Sequence, residues 1–235
     1  NARFPIIWWG WRDRFPSSPE MEIANGTSVT DNNGQFRITF KAIADPDISK
    51  ELSPIFTYTV FVDVTDINGE TQRAETSVSV GYAAMVITTN VEDHVNADVG
   101  IKLEIKTTNL NGQPEAAAGS ITINRIIQPK QVLYSRKWAR PDKFTMTRDE
   151  FNKYFPGEVY NNEDDITQWE RGEAIFSERF LTPDSSVFPV LKNIAPGLYL
   201  IEIISTDSFG EVVNYTKYFR AYSPSGKKTA VTAPF

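Results

Sequence analysis

The chain has 235 residues, 40% of them hydrophobic and 12% aromatic, with a formal net charge of −6 and no cysteine. That length holds two sandwich-sized domains or one large one. The missing thiols exclude disulfide staples, thiol catalysis and thiolate metal sites. An acidic balance without clustered Lys and Arg argues against nucleic acid as a partner, and no apolar run approaches the roughly 20 residues of a membrane-spanning helix.

From the N-terminus, residues 3–9 read as a strand, followed by a loop from Gly10 to Pro19. A strand is expected near 20–29, then a turn at Asp31-Asn32-Asn33-Gly34. An alternating strand, Phe36-Arg37-Ile38-Thr39-Phe40, follows and is broken by Asp45-Pro46-Asp47. The stretch from Tyr58, Tyr-Thr-Val-Phe-Val-Asp-Val-Thr-Asp-Ile-Asn-Gly-Glu, predicts a hairpin with strands over 55–65 and 70–81. Its counterpart begins at Tyr199, Tyr-Leu-Ile-Glu-Ile-Ile-Ser-Thr-Asp-Ser-Phe-Gly-Glu, and predicts strands over 197–206 and 211–222. In both, an Asp (Asp66 or Asp207) can bond the backbone ahead of it. A Gly (Gly69 or Gly210) can take the positive φ that closes a short loop. The second run of each hairpin ends at a tyrosine, Tyr82 or Tyr222. Such a duplication predicts two copies of one domain type.

The expected fold is therefore all-β, with tandem β-sandwich domains. The first, 1–84, supplies about five strands and lacks the first two of its sandwich. The second, 85–222, has seven strands, near 84–91, 99–108, 119–127, 173–181, 187–191, 197–206 and 211–222, with a turn at Asn109-Leu110-Asn111-Gly112. Residues 223–235 read as a linker into a following domain, so the sequence reads as part of a longer protein.

A helical insertion interrupts the second domain at 136–172. Thr147-Arg148-Asp149-Glu150 is a capping box, with Met146 and Phe151 placed to staple it. Phe151, Tyr154 and Phe155 share the helix face expected to be buried, and Pro156-Gly157 stops the helix. A second short helix over Asp165–Arg171 would bury Ile166 and Trp169.

Few residues suggest chemistry. His94 is the only histidine, in an expected turn and without a Gly-x-Ser-x-Gly elbow, so an exposed surface role is its reading. Zinc would need three or four ligands. Glu163-Asp164-Asp165 is the densest carboxylate cluster, read as helix N-terminal charge with calcium binding as the alternative. Gly226-Lys227-Lys228-Thr229 fails as a phosphate loop because Ala221 stands where its first glycine belongs. Asn25-Gly26-Thr27 and Asn214-Tyr215-Thr216 match glycosylation sequons. Trp8, Trp9 and Trp11, with Phe4 and Phe15 nearby, form an aromatic knot suited to sugar rings or a protein surface, or to packing against a neighbouring domain. The reading is of a non-enzyme without a cofactor.

Two stretches carry a resemblance. Lys137-Trp138-Ala139-Arg140-Pro141-Asp142-Lys143-Phe144 through Glu150-Phe151 and Phe155-Pro156 is similar to a segment of bacterial alpha-2-macroglobulin family proteins, especially those of Bacteroidetes. So is Ile194-Ala195-Pro196-Gly197-Leu198-Tyr199 to Asp207-Ser208-Phe209-Gly210-Glu211. The motifs Thr30-Asp31-x-x-Gly34-x-Phe36 and Val64-Thr65-Asp66-x-x-Gly69-Glu70 suit the domains expected before it. The resemblance covers most of the chain and implies tandem macroglobulin-type sandwiches in a large envelope protein that entraps proteases, with a lipid anchor on the full-length protein as one arrangement. Its partners would be neighbouring domains of the same polypeptide and target proteases. The family's thioester, made from a Cys and a Gln, cannot lie in this stretch, and the insertion is not read as protease bait. The competing expectation is a carbohydrate- or protein-binding surface module with Trp8, Trp9 and Trp11 as its platform.

Overall fold

The computed structural model describes residues 20–129, 133–134, 136, 139–183, 186–192 and 194–225, with the backbone of 2–3. The fold is all-β and of sandwich type. The strands are β1 (Ala2–Arg3), β2 (Ile55–Thr65), β3 (Thr71–Gly81), β4 (Met85–Thr89), β5 (His94–Asn96), β6 (Ile105–Asn109), β7 (Ala118–Ile126), β8 (Arg171–Leu181), β9 (Gly197–Thr206) and β10 (Val212–Tyr222). They form three sheets, ordered β1-β2-β3, β5-β10-β9-β7-β8 and β4-β6. The chain divides into two compact units, one of residues 1–86, 107–115 and 206–213, the other of 87–106, 116–205 and 214–235.

The first unit is organised by one turn used four times. In Asp31–Gln35, Asp66–Glu70, Asn109–Gln113 and Asp207–Glu211 the first residue's N–H donates to the fifth residue's carbonyl at 2.7–2.9 Å. The fourth residue, always Gly, donates to the first carbonyl at 3.0–3.1 Å. The first side chain's Oδ1 accepts from the third and fifth N–H groups at 2.8–3.0 Å. Gly34, Gly69, Gly112 and Gly210 all have φ between 75° and 91°, a region that penalises any Cβ. Asp or Asn suits the first position because its short side-chain oxygen reaches the N–H two residues ahead.

β2 and β3 pair antiparallel without a slip, from Ile55 opposite Gly81 to Thr65 opposite Thr71. Strand alternation puts Phe56, Tyr58, Val60, Val62 and Val64 on one face, beside Val80, Val78, Thr76, Ala74 and Gln72. Phe56 is buried, whereas Val64 and Val80 remain exposed. The strands expected over 20–29 and 36–40 are absent. From residue 20 to Ser49 no strand forms, and a 3₁₀ turn follows at Lys50–Leu52. Alternation makes a strand only where a neighbouring edge completes its hydrogen bonds. Here Phe40 sets its ring 5.7 Å from that of Tyr58, whose hydroxyl donates to the Ile43 carbonyl at 2.9 Å. The expected five strands before residue 84 become three among the described residues.

In the second unit β9 lies between β10 and β7, and most of its side chains are buried, on both faces of the sheet. Tyr199, Ile201 and Ile203 are buried on one side, with the Tyr199 ring stacked 5.3 Å from Phe219. On the other, Leu198 and Leu200 join Ile126 in a cluster covered by Ile166, Trp169 and Tyr218. The short parallel strand β5 sets His94 opposite Arg220, where a turn was expected. The strand expected at 187–191 is reduced to bridges, Glu104 opposite Val187 and Ile101 opposite Leu191. Pro189 lies between them and cannot donate to a ladder.

Candidate functional site

The insertion holds a dense side-chain assembly within the second unit. Its helix, α1 (Arg148–Tyr154), begins as the capping box requires. Thr147 Oγ1 accepts from the Glu150 N–H at 3.3 Å, and Glu150 Oε2 accepts from the Thr147 N–H at 3.0 Å and hydroxyl at 2.8 Å. Those bonds, the backbone one foremost, hold the Glu150 carboxyl below the usual carboxylate range. Phe144 stacks on Tyr160 at 4.5 Å, and Phe151 lies 5.3 Å from Tyr160 and 5.1 Å from Phe155. The Arg148 guanidinium stands 5.5 Å over the Tyr160 ring and 3.0 Å from Glu163 Oε1.

One expectation is corrected here. The aromatic face of α1 is not buried: no residue of the helix is, Phe151 is half-covered, and Tyr154 and Phe155 are exposed. Two helical turns have little surface to lay on a sheet. The insertion is instead anchored by Ile166, the first residue of a 3₁₀ turn over Ile166–Gln168, and by Trp169 just after it, which pack on Ile126, Leu198 and Leu200. Trp169 also donates its Nε1–H to the Glu163 carbonyl at 2.8 Å.

The acidic run is woven into this assembly. Besides meeting Arg148, Glu163 accepts from the Asn161 N–H at 2.6 Å through Oε2. Asp164 lies 3.9 Å from Arg136. Asp165 caps the 3₁₀ turn, accepting from the Thr167 N–H at 3.0 Å and hydroxyl at 2.6 Å. Arg136 donates to the Asn161 carbonyl, and Arg140 to the Asn161 and Asn162 side-chain oxygens at 3.1 Å each. The carboxylates thus serve as hydrogen-bond acceptors and ion-pair partners that hold the loop. Among the described residues no group of three or more His, Cys, Asp or Glu could hold a metal ion, and no helix is long and apolar enough to cross a membrane.

Trp8, Trp9, Trp11 and Phe15, the candidate partner surface, lie outside the described residues, as does Gly226–Thr229. His94 is exposed at the start of β5. Asn25 and Asn214, the two sequon asparagines, are both exposed.

Two arrangements in the first unit escape sequence reasoning. Asn111 Oδ1 accepts from the Ser79 N–H at 2.8 Å while its Nδ2 donates to the Ser79 carbonyl at 3.4 Å, so one carboxamide caps both backbone groups of a β3 residue. Asp207 Oδ2 accepts from the Ala84 N–H at 2.7 Å, leaving Oδ1 to its own turn. Burial opposes charge on Asp207, but the N–H groups of Ala84, Glu211, Phe209 and Gly210 outweigh it and hold the carboxyl below the usual range. The turn motif signals Asp207 and Asn111 as turn residues; nothing local signals their distant partners.

Compared with known protein families and curated proteins, the chain matches no family model and no curated sequence.

Proposed function

We propose that this chain is a non-catalytic scaffold portion of an alpha-2-macroglobulin-like protein that entraps proteases in the bacterial periplasm or cell envelope. The observation that supports it best is the construction of the insertion. This is the stretch whose sequence resembles the family, and it is capped, ion-paired and anchored on the sheet through Ile166 and Trp169. A segment held in this way suits a framework that keeps its shape while a bait elsewhere is cut. Neighbouring domains of the same polypeptide and the trapped protease are the partners this reading implies.

The test is capture by the full-length protein. Incubated with proteases of differing specificity, it should leave them active on small peptide substrates and shielded from large protein substrates. The first cleavages should map outside 139–172. Early cleavage inside the insertion, or a protease that stays equally active on large and small substrates, would overturn the proposal.

A further inference from the structure

Two long strands border their sheets, and they differ. β8 slips register against β7 between Ile123 and Asn124 and again between Asn124 and Ile126, and such bulges spoil an edge for further pairing. β3 keeps register over its whole length, and among the described residues no strand pairs with its outer side.

Its polar groups can be assigned. The Asp66 N–H donates to the Glu70 carbonyl, so the alternation of an antiparallel ladder turns the even-numbered residues of β3 toward β2. Thr71, Arg73, Glu75, Ser77 and Ser79 then present N–H and C=O outward. Ser79 confirms the parity, because it is the residue that Asn111 caps. The cap ends the open edge, leaving Thr71, Arg73, Glu75 and Ser77, a run whose midpoint is Ala74.

We infer that this edge pairs antiparallel with the same edge of a second copy of the chain, about a two-fold axis midway between Ala74 and the copy's Ala74. A two-fold axis normal to a sheet must set one residue opposite its own copy, since any other register would flip side chains to the wrong face. Centred on Ala74, Thr71 faces the partner's Ser77 and Arg73 faces the partner's Glu75, with the reciprocal pairs completing the set. All four outward residues find hydrogen-bonded partners. Ala74 meets its copy at the close, non-hydrogen-bonded position, where a small side chain fits.

Charge selects the same register. Centring on residue 73 or 75 would oppose Arg73 to Arg73 or Glu75 to Glu75, both repulsive. The Arg73 guanidinium is already held by Asp63, with Nε 2.8 Å from Oδ1 and Nη2 3.2 Å from Oδ2. Pairing would extend that bridge into a row of Asp63, Arg73 and the partner's Glu75. Glu75 is exposed and lies on the same face as Arg73. Charges on an edge strand ordinarily deter pairing. Here their order is self-complementary. The inference is independent of the protease-trapping reading.

Analytical ultracentrifugation of the 235-residue chain should show a dimer that dissociates on dilution. Arg73→Glu and Glu75→Arg should each weaken it at least about tenfold, and the two together should restore it. Arg73→Glu also places a like charge beside Asp63, so near-ultraviolet circular dichroism checks its fold, while Glu75→Arg leaves that bridge intact. The chain has no cysteine. Ala74→Cys should therefore cross-link cleanly on oxidation, because its two copies fall within disulfide range. Thr76→Cys should not, its copies being about 13 Å apart along the strand. A chain that stays monomeric, a dimer indifferent to both charge reversals, or cross-linking through residue 76 in place of 74 would overturn the inference.

Discussion

Asp66 and Asp207 open turns with the same bonds, yet Asp66 is exposed and Asp207 is buried with its second oxygen on the Ala84 N–H. Asn109 shows what an amide does in this place, since it makes the same turn with the same two side-chain bonds. Asp207→Asn should therefore keep the turn and lose only the bond to Ala84, because an amide nitrogen cannot accept from an N–H. A hydrogen bond to a charged group contributes about 1.5–3 kcal/mol, so urea denaturation should report a loss of that order, with faster amide exchange at Ala84. The acid limb of stability should flatten as well. A carboxyl held below the ordinary aspartate value of about 3.9 contributes fully above that pH, and its contribution drains away as the pH falls through the lower folded-state value. An Asn at 207 removes that share. Unchanged Ala84 exchange in the variant would remove the case for Asp207 as a tether.

Within the insertion, sequence and structure agree where the forces are local and part where they are not. The capping box is legible because its bonds join residues three apart, and α1 begins where Thr147 requires. The burial of the Phe151, Tyr154 and Phe155 face was not legible, since helical periodicity identifies an apolar stripe without saying what covers it. Trp169 and Ile166, read as buried from a second short helix, do lie on the sheet, though the element is one 3₁₀ turn. The energetic order follows. Thr147→Ala should cost about 1 kcal/mol through the lost cap. Trp169→Ala should cost about 3 kcal/mol, because it strips apolar contact from Leu198, Leu200 and Ile126 and frees the Glu163 carbonyl. Phe151→Ala should fall below Trp169→Ala, its ring being half in water. Chemical denaturation of the three variants checks the order, and a larger loss at Phe151 than at Trp169 would show that α1 is the anchor.

Taken as one chain, the molecule is dominated by pairings between distant segments. β7 pairs both with β8 and with β9, and Arg220 of β10 pairs with His94 of β5. Loop closure must precede the gain from such contacts, so refolding should take on the order of milliseconds to seconds in stopped-flow measurements. Microsecond recovery would contradict this topology. The same distances limit what sequence patterns reveal. The duplicated hairpins were legible because strand alternation and turn chemistry coincide within a few residues. β5 was missed because three residues carry no period. The strands over 20–29 and 36–40 were expected because Phe36, Ile38 and Phe40 alternate, yet a strand also depends on a receptive edge, which no local pattern encodes. The aromatic knot Trp8, Trp9, Trp11 and Phe15 was legible only as composition.

The four-fold turn has a further consequence for how the surface is composed. Its shape depends on the first residue's side chain, on backbone groups and on the glycine, so the side chains of the second and third residues add little to the fold of the loop, the bond from Asn68 Nδ2 to Asp66 Oδ2 at 3.3 Å excepted. Each loop is in effect a small pedestal with two vacant seats. At Asn109–Gln113 the seats serve the interior: Leu110 comes so near Gly81 that a Cβ there would lie 3.1 Å from its Cδ1, and Asn111 grips Ser79. At the other two hairpins, Ile67 and Phe209 stand almost wholly in water. One backbone device therefore yields fasteners in one place and bare apolar studs in others. Changing a loop from one use to the other requires new side chains at two positions and no rearrangement of the strands beneath.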